Sequence, residues 1–133
     1  MPGVSPRLVA LTIGGAVLAL AVPALAAAPA SESLTTDFKI KGASKAKAGS
    51  VTFKVENTAT SLHELVVIKT DSKAGKLKLK NGRASEAGAL GEVEVKGGAT
   101  KSFTLKLEPG HYALICNVGR HYKAGMYKDF TVS

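Results

Sequence analysis

The sequence contains very little cysteine and few large aromatic residues. Among its 133 residues there are one cysteine, no tryptophan, four phenylalanines and three tyrosines. A single cysteine excludes a disulfide within the chain and any zinc site that takes two or more thiolates from one chain. Acidic residues are also few, ten against 18 lysines and arginines, so the formal net charge is +8. The length suits one domain, because a second hydrophobic core would need a longer chain.

Charge is absent from the run Leu8–Val22, where the apolar residues of the chain are concentrated. The weakly basic start at Arg7, the apolar run, Pro23 and the small residues Ala24–Ala26 together form the layout of a secretory signal peptide. We therefore predict a signal peptide over residues 1–26. The alternative is a retained membrane anchor, although about 15 apolar residues fall short of the roughly 20 that span a bilayer.

The predicted cleavage after Ala26 sets the boundaries of the mature protein. Residues 27–33 are expected to be a flexible leader rich in alanine, proline and serine, and residues 34–133 the folded domain. Cleavage would remove Arg7 and no acidic residue, which lowers the formal net charge from +8 to +7. We expect a periplasmic or extracellular protein, monomeric, that is attracted to an acidic protein or to an anionic membrane surface and binds no nucleic acid.

Apolar residues of the predicted domain recur at every second position, which is the period of a strand with one buried face. The alternation is found at 38–40, 51–55, 65–67, 93–95, 103–107, 112–114 and 130–132, and turn residues such as Pro109 and Gly110 separate the segments. The pattern predicts an all-β domain, a sandwich or barrel. The lysine-rich segment 71–91 is less regular and could be either an edge strand ending at Asn81-Gly82 or a loop.

The chemistry is concentrated near the C-terminus. Cys116, His121 and Met126 follow one another at intervals of five residues in a glycine-containing segment between two predicted strands. A thiolate, an imidazole and a thioether are all ligands for soft or borderline metal ions, and four residues between them let the chain double back. His63, at the start of the predicted strand 63–68 and on the same face as Leu65, is the candidate for a fourth ligand.

Two histidines, one cysteine and a weak axial methionine are the ligand set of blue-copper electron-transfer sites. The Cys-x4-His-x4-Met segment with an upstream histidine, in a chain of short strands ending in Phe130-Thr131-Val132, resembles a small cupredoxin with rusticyanin-like ligand spacing. The resemblance implies a Greek-key β-sandwich that holds one copper ion and exchanges single electrons with redox partner proteins. It also implies that the protein is not an enzyme.

Two positions depart from the usual pattern of that family. Gly119-Arg120 precedes His121 where Pro-Gly is usual, and Glu64 follows His63 where an asparagine often ties the two ligand segments together. Neither departure replaces a ligand. Arg120 would place a positive charge beside His121, and Asn117 is available for a hydrogen bond around the metal.

Three other interpretations are considered. His111 lies five residues before Cys116, so strand alternation places the two side chains on opposite faces and predicts a structural role for His111. A cysteine hydrolase using Cys116 and His121 is disfavoured by their closeness along one short segment. A copper carrier without electron transfer would use exposed sites rich in methionine and histidine, whereas the predicted domain has Met126 alone.

Overall fold

The computed structural model of the protein describes residues 20–21 and 26–133. The predicted signal peptide lies almost entirely outside these residues and stays a prediction. Within the described residues, no helix has the length and apolar character needed to cross a membrane. The described residues form eleven strands, which are, in chain order, β1 (Ala30–Leu34), β2 (Ile40–Gly42), β3 (Lys45–Ala46), β4 (Gly49–Asn57), β5 (His63–Lys69), β6 (Leu79–Lys80), β7 (Arg83–Ala84), β8 (Ala89–Val95), β9 (Thr100–Leu107), β10 (Gly110–Ile115) and β11 (Tyr127–Val132).

The strands form two main sheets and a small hairpin. The first sheet has the order β2-β1-β4-β9, the second has the order β3-β11-β10-β5-β8, and β6 pairs with β7 alone. Most neighbours are antiparallel, whereas β1 pairs with β4 and β3 pairs with β11 in parallel. The predicted all-β, Greek-key sandwich is confirmed.

The core lies between the two main sheets and is built by the alternating residues of their inner faces. Phe53 is fully buried at its centre, and its ring centroid lies 5.5 Å from that of Phe103 and 5.4 Å from that of Phe130. Even-numbered residues of β10, Tyr112 and Leu114, belong to this core. The period-2 pattern of the sequence therefore identified the inward-facing positions of β4, β9, β10 and β11 correctly.

The outer face of the second sheet is also covered, by the segment between β5 and β8. This segment contains a 3-10 helix at Ala74–Lys76 and the β6–β7 hairpin, whose turn is Asn81-Gly82. Both turn residues have positive φ, 53° and 78°, as a two-residue hairpin turn requires. The segment is therefore neither a loop nor an edge strand of a main sheet, and it buries Val66, Ile68, Ala113 and Ile115 in a second, smaller core.

Strand β1 corrects the predicted domain boundary. The leader was expected to extend to residue 33 with nothing to pack against, but the chain is a sheet strand from Ala30 onward. Ala30, Glu32 and Leu34 face inward and are buried. Glu32 interrupts the alternation of apolar residues that would indicate this strand, because a carboxyl group occupies an inward position. Nζ of Lys128 lies 2.6 Å from its Oε2 and stabilises it there.

Phe38 is a second correction. The alternation of Phe38 with Ile40 predicted one strand through both residues, whereas β2 begins at Ile40. Phe38 lies in the turn between β1 and β2 and has a φ of 56°, in the left-handed region. A strand cannot include such a residue.

Candidate metal centre

The two neighbouring strands β10 and β11 hold the ends of the segment 116–126, referred to below as the ligand loop. Cys116 directly follows β10 and Met126 directly precedes β11, and the backbone N–H of Cys116 donates to the carbonyl of Met126 at 3.0 Å. The N–H of Met126 donates to the carbonyl of His121 at 3.1 Å. The loop thus doubles back, and positive φ values of 50° at Gly119 and 104° at Gly125 allow the reversals.

His63 reaches the same place from another strand. It is the first residue of β5, which is the antiparallel neighbour of β10. Strand β5 therefore starts where β10 ends, and the imidazole of His63 faces the ligand loop. A residue 53 positions before Cys116 in the sequence becomes its neighbour in space.

Three donor atoms face one another in a small triangle. Nδ1 of His63 lies 3.1 Å from Nδ1 of His121, and Sγ of Cys116 lies 3.8 Å from the first nitrogen and 3.5 Å from the second. A point equidistant from the three atoms is about 2 Å from each, close to the length of bonds from zinc to imidazole nitrogen. The three residues therefore fit a single metal ion without rearrangement.

The candidate ligands differ in their exposure to solvent. Cys116, His63 and Met126 are fully buried, whereas His121 is partly exposed. Burial raises the pKa of the Cys116 thiol and lowers the pKa of both histidines, and the neighbouring charge of His121 lowers that of His63 further. Neutral imidazoles have lone pairs free for a metal ion, and the thiol would lose its proton on binding one.

Glu64 ties the two ligand segments together. Its carboxylate accepts a hydrogen bond from the N–H of Asn117 at 2.9 Å, and its own N–H donates to Sγ of Cys116 at 3.4 Å. The connection for which the resemblance to cupredoxins implied an asparagine is thus made here by the carboxylate of Glu64. Burial raises the pKa of Glu64, and the bond from Asn117 partly opposes that effect.

The segment between β5 and β8, residues 70–88, is referred to below as the outer segment. It bonds to the ligand loop through two loop side chains. The side chain of Asn117 accepts from the N–H of Ala84 and donates to the Ala84 carbonyl and to Glu86, all within 2.9 Å. The hydroxyl of Tyr122 donates to the carbonyl of Ala74 at 2.6 Å and accepts from the N–H of Leu77 at 3.0 Å. Each of these loop residues is the direct neighbour of a candidate ligand.

His111 lies apart from the cluster, on the outer face, as the parity of β10 predicts. Its Nε2 lies 2.8 Å from a carboxylate oxygen of Asp129, and its Nδ1 bonds to the carbonyl of Thr70. The bonds to Thr70 and Asp129 outweigh partial burial and raise the pKa of His111. His111 therefore joins β10, β11 and the outer segment rather than facing the other two histidines.

Comparison with solved structures identifies the fold as that of the cupredoxins. No protein-family model and no curated protein matches the sequence. Solved structures do match. A reduced auracyanin from Roseiflexus castenholzii has 19% identity and a TM-score of 0.61, over 77% of this chain and 94% of that one. Auracyanin A, a blue copper protein from Chloroflexus aurantiacus, has 18% identity and a TM-score of 0.58, over 80% and 100%. Rusticyanin from Thiobacillus ferrooxidans has 15% identity and a TM-score of 0.54, over 67% and 59%.

Proposed function

We propose that the protein binds one copper ion through Nδ1 of His63, Sγ of Cys116 and Nδ1 of His121, with Met126 as the axial ligand. The observation that carries the proposal is the triangle of donor atoms, with sides of 3.1, 3.5 and 3.8 Å. One thiolate with two imidazoles suits copper rather than the hard ions Mg²⁺ and Ca²⁺. The auracyanin and rusticyanin structures with this fold are those of copper proteins, which supports the same choice.

We further propose that the protein carries single electrons and is not an enzyme. A bound copper ion would supply the change between Cu(I) and Cu(II). The residues of this chain contribute a fixed ligand triangle, since β5, β10 and β11 and the hydrogen bonds of Glu64 and Asn117 hold it on several sides. A hydrolase is disfavoured because the Cys116 thiol is fully buried and its pKa is raised, whereas a nucleophilic thiol needs access and a lowered pKa.

The visible spectrum after addition of Cu²⁺ tests the copper centre. We expect an intense thiolate-to-copper band in the mature protein that is lost in Cys116→Ser and kept in the control variant His111→Gln, since His111 lies outside the triangle. A colourless wild-type protein would refute the proposal. A blue protein whose electron self-exchange is undetectable would support the copper carrier instead.

The partner of the proposed electron transfer is an acidic redox protein that docks around His121. Arg120 precedes this partly exposed histidine, and a Cβ added to Gly82 would lie 3.2 Å from Nε of Arg120, so the β6–β7 hairpin with Lys80 and Arg83 adjoins it. Opposite charges accelerate such encounters, and salt weakens the effect. We place this exchange outside the cytoplasm because of the apolar run Leu8–Val22.

Charge reversal tests the docking side. Arg120→Glu should slow electron transfer to an acidic redox protein at low ionic strength, and 0.5 M salt should remove most of the difference. The control Lys106→Glu makes the same charge change on the exposed part of β9 at the other end of the sandwich. Equal rates for the two variants would contradict the proposed docking side.

A further inference from the structure

The turn between β1 and β2 places an aromatic ring against both candidate histidines. The ring centroid of Phe38 lies 4.8 Å from that of His121 at an interplanar angle of 48°, and 6.2 Å from that of His63 at 87°. Both distances fall in the range of favourable aromatic pairs. Phe38 thus brings the first sheet into contact with His63 of the second sheet and with His121 of the loop between two strands of that sheet.

The backbone of Phe38 is in a conformation that phenylalanine rarely adopts. Its φ of 56° is one of two positive values among the non-glycine residues that the structure describes, and the other belongs to Asn81, a residue type that tolerates it in a hairpin turn. A bulky residue keeps this conformation only where the surroundings enforce it, and such residues concentrate at functional sites. The conformation therefore calls for a reason beyond the turn itself.

The turn is fixed by its own hydrogen bonds. The N–H of Thr35 donates to the carbonyl of Lys39 at 3.0 Å, and the N–H of Phe38 donates to the carbonyl of Thr35 at 3.2 Å. The hydroxyl of Thr35 also accepts from the N–H of Lys39 and donates to the carboxylate of Asp37. These bonds hold the backbone at Phe38, from which its ring extends toward the two histidines.

The same turn contacts the ligand loop at a second place. A Cβ added to Gly125 would lie 2.8 Å from Nζ of Lys39, so the Lys39 side chain crosses the loop next to Met126. The turn also adjoins His63: the backbone of Thr35 lies close to this imidazole, whose buried Nε2 has no hydrogen-bond partner among the described residues. The turn therefore packs against the two histidines, and Phe38 contacts both of their rings.

We propose that Phe38 is a positioning residue that holds the imidazoles of His121 and His63 with their Nδ1 atoms toward Sγ of Cys116. His121 needs such support most, because it lies partly exposed in the middle of a loop and, among the described residues, its ring nitrogens have hydrogen-bond contacts only from Nδ1 to His63 and Cys116. Packing against the Phe38 ring removes alternative ring orientations. The inference rests on the proposed metal site, and it names a residue outside the ligand set that this site needs.

The experiment compares four substitutions in mature protein. Phe38→Tyr keeps the ring, Phe38→Leu keeps apolar volume without a ring, Phe38→Ala removes both, and Phe38→Asn removes the ring but suits a positive φ. Zn²⁺ affinity is measured by competition with a chelator, and the imidazole signals of metal-free protein are recorded by NMR. Changes around metal ligands typically lower metal affinity 10- to 100-fold.

The expected result has two parts. Phe38→Ala and Phe38→Asn lower Zn²⁺ affinity about tenfold or more and broaden or shift the His121 ring signals, Phe38→Leu has an intermediate effect, and Phe38→Tyr stays within about twofold of wild type. Phe38→Asn should nevertheless unfold at higher urea concentration than Phe38→Ala, because asparagine accepts the backbone conformation that alanine resists. A loss of affinity in the more stable variant separates positioning of the ligands from a general contribution to folding.

Two outcomes would overturn the inference. One is unchanged affinity and unchanged histidine signals in Phe38→Ala, and the other is an equal loss in Phe38→Tyr and Phe38→Ala. Failure of the copper proposal is seen separately, because wild-type protein that binds Zn²⁺ but gives no blue colour with Cu²⁺ still reports on Phe38.

Discussion

Removal of one hydroxyl group at Tyr122 should destabilise the protein substantially. This side chain is 4% exposed and lies beside His121 on the ligand loop. Its hydroxyl bonds at 2.6 Å to the carbonyl of Ala74 and at 3.0 Å to the N–H of Leu77. Tyr122→Phe keeps the ring and its packing, so the change acts on these two hydrogen bonds alone.

The magnitude follows from the burial of the two partners. Ala74 is fully buried, so its carbonyl would be left without a hydrogen bond, at a cost of about 1–3 kcal/mol. Leu77 is only partly buried, and water can reach its N–H, so the loss there is about 0.5–1 kcal/mol. The sum is about 1.5–4 kcal/mol, which corresponds to a decrease in Tm of about 6–20 °C for a domain of this size.

Urea unfolding of metal-free protein measures this difference, with Tyr127→Phe as the matched control. Tyr127 is 39% exposed, its ring lies 5.3 Å from that of Tyr122, and its hydroxyl has no hydrogen bond to any residue in the described part of the chain. We expect the control to change the free energy of unfolding by less than about 0.5 kcal/mol. Amide exchange should also accelerate at Leu77 in Tyr122→Phe. A loss no larger than that of the control, with Leu77 still protected, would refute the reasoning.

Three further predictions concern the core, a buried carboxylate and the connection between the ligand segments. Phe53→Ala should lower the free energy of unfolding by about 3–5 kcal/mol in urea titrations, because a fully buried ring at the centre of the sandwich is lost. Burial raises the pKa of Glu32 to about 7 despite its bond to Lys128. The folded state therefore retains a proton that the unfolded state releases near pH 4.5. The difference adds to the free energy of unfolding, and this stabilisation is complete below pH 4.5 and should be lost as the pH rises through about 7. Unfolding measured at pH 5 and pH 8 should show a steeper decrease for wild type than for Glu32→Gln, and parallel profiles would contradict the assignment. Glu64→Ala should cost about 1.5–3 kcal/mol by loss of a charge-assisted bond from Asn117, whereas Glu64→Gln keeps an acceptor and should cost less; equal losses would contradict this role.

The sequence was informative wherever a local pattern decides the structure. Period-2 alternation identified the inward faces of most long strands, and parity separated His111 from Cys116. The equal spacing of Cys116, His121 and Met126 indicated a loop that doubles back, and the structure brings His63 and the first two within hydrogen-bonding distance of one another. Their role as metal ligands stays a prediction for the copper experiment.

Other features depend on distant residues and have no local signal. Strand β1 was predicted as a flexible leader because Glu32 interrupts its apolar positions, and its partner Lys128 lies 96 residues away. The turn at Phe38 was hidden because phenylalanine alternating with Ile40 is typical of a strand, whereas phenylalanine rarely adopts a left-handed conformation. The sequence indicates only a packing role for Tyr122, since nothing nearby along the chain shows that its hydroxyl bonds to the outer segment.

The order of the strands along the chain has a consequence for folding. Strand β3 pairs in parallel with β11, so residues 45–46 can pair only once residues 131–132 are present. His63 likewise meets His121 only once the loop that ends at Met126 has formed. Pairings of such sequence separation are typical of β-sandwiches that fold in milliseconds to seconds rather than microseconds. A growing chain cannot bring His63, Cys116 and His121 together until the ligand loop has followed β10.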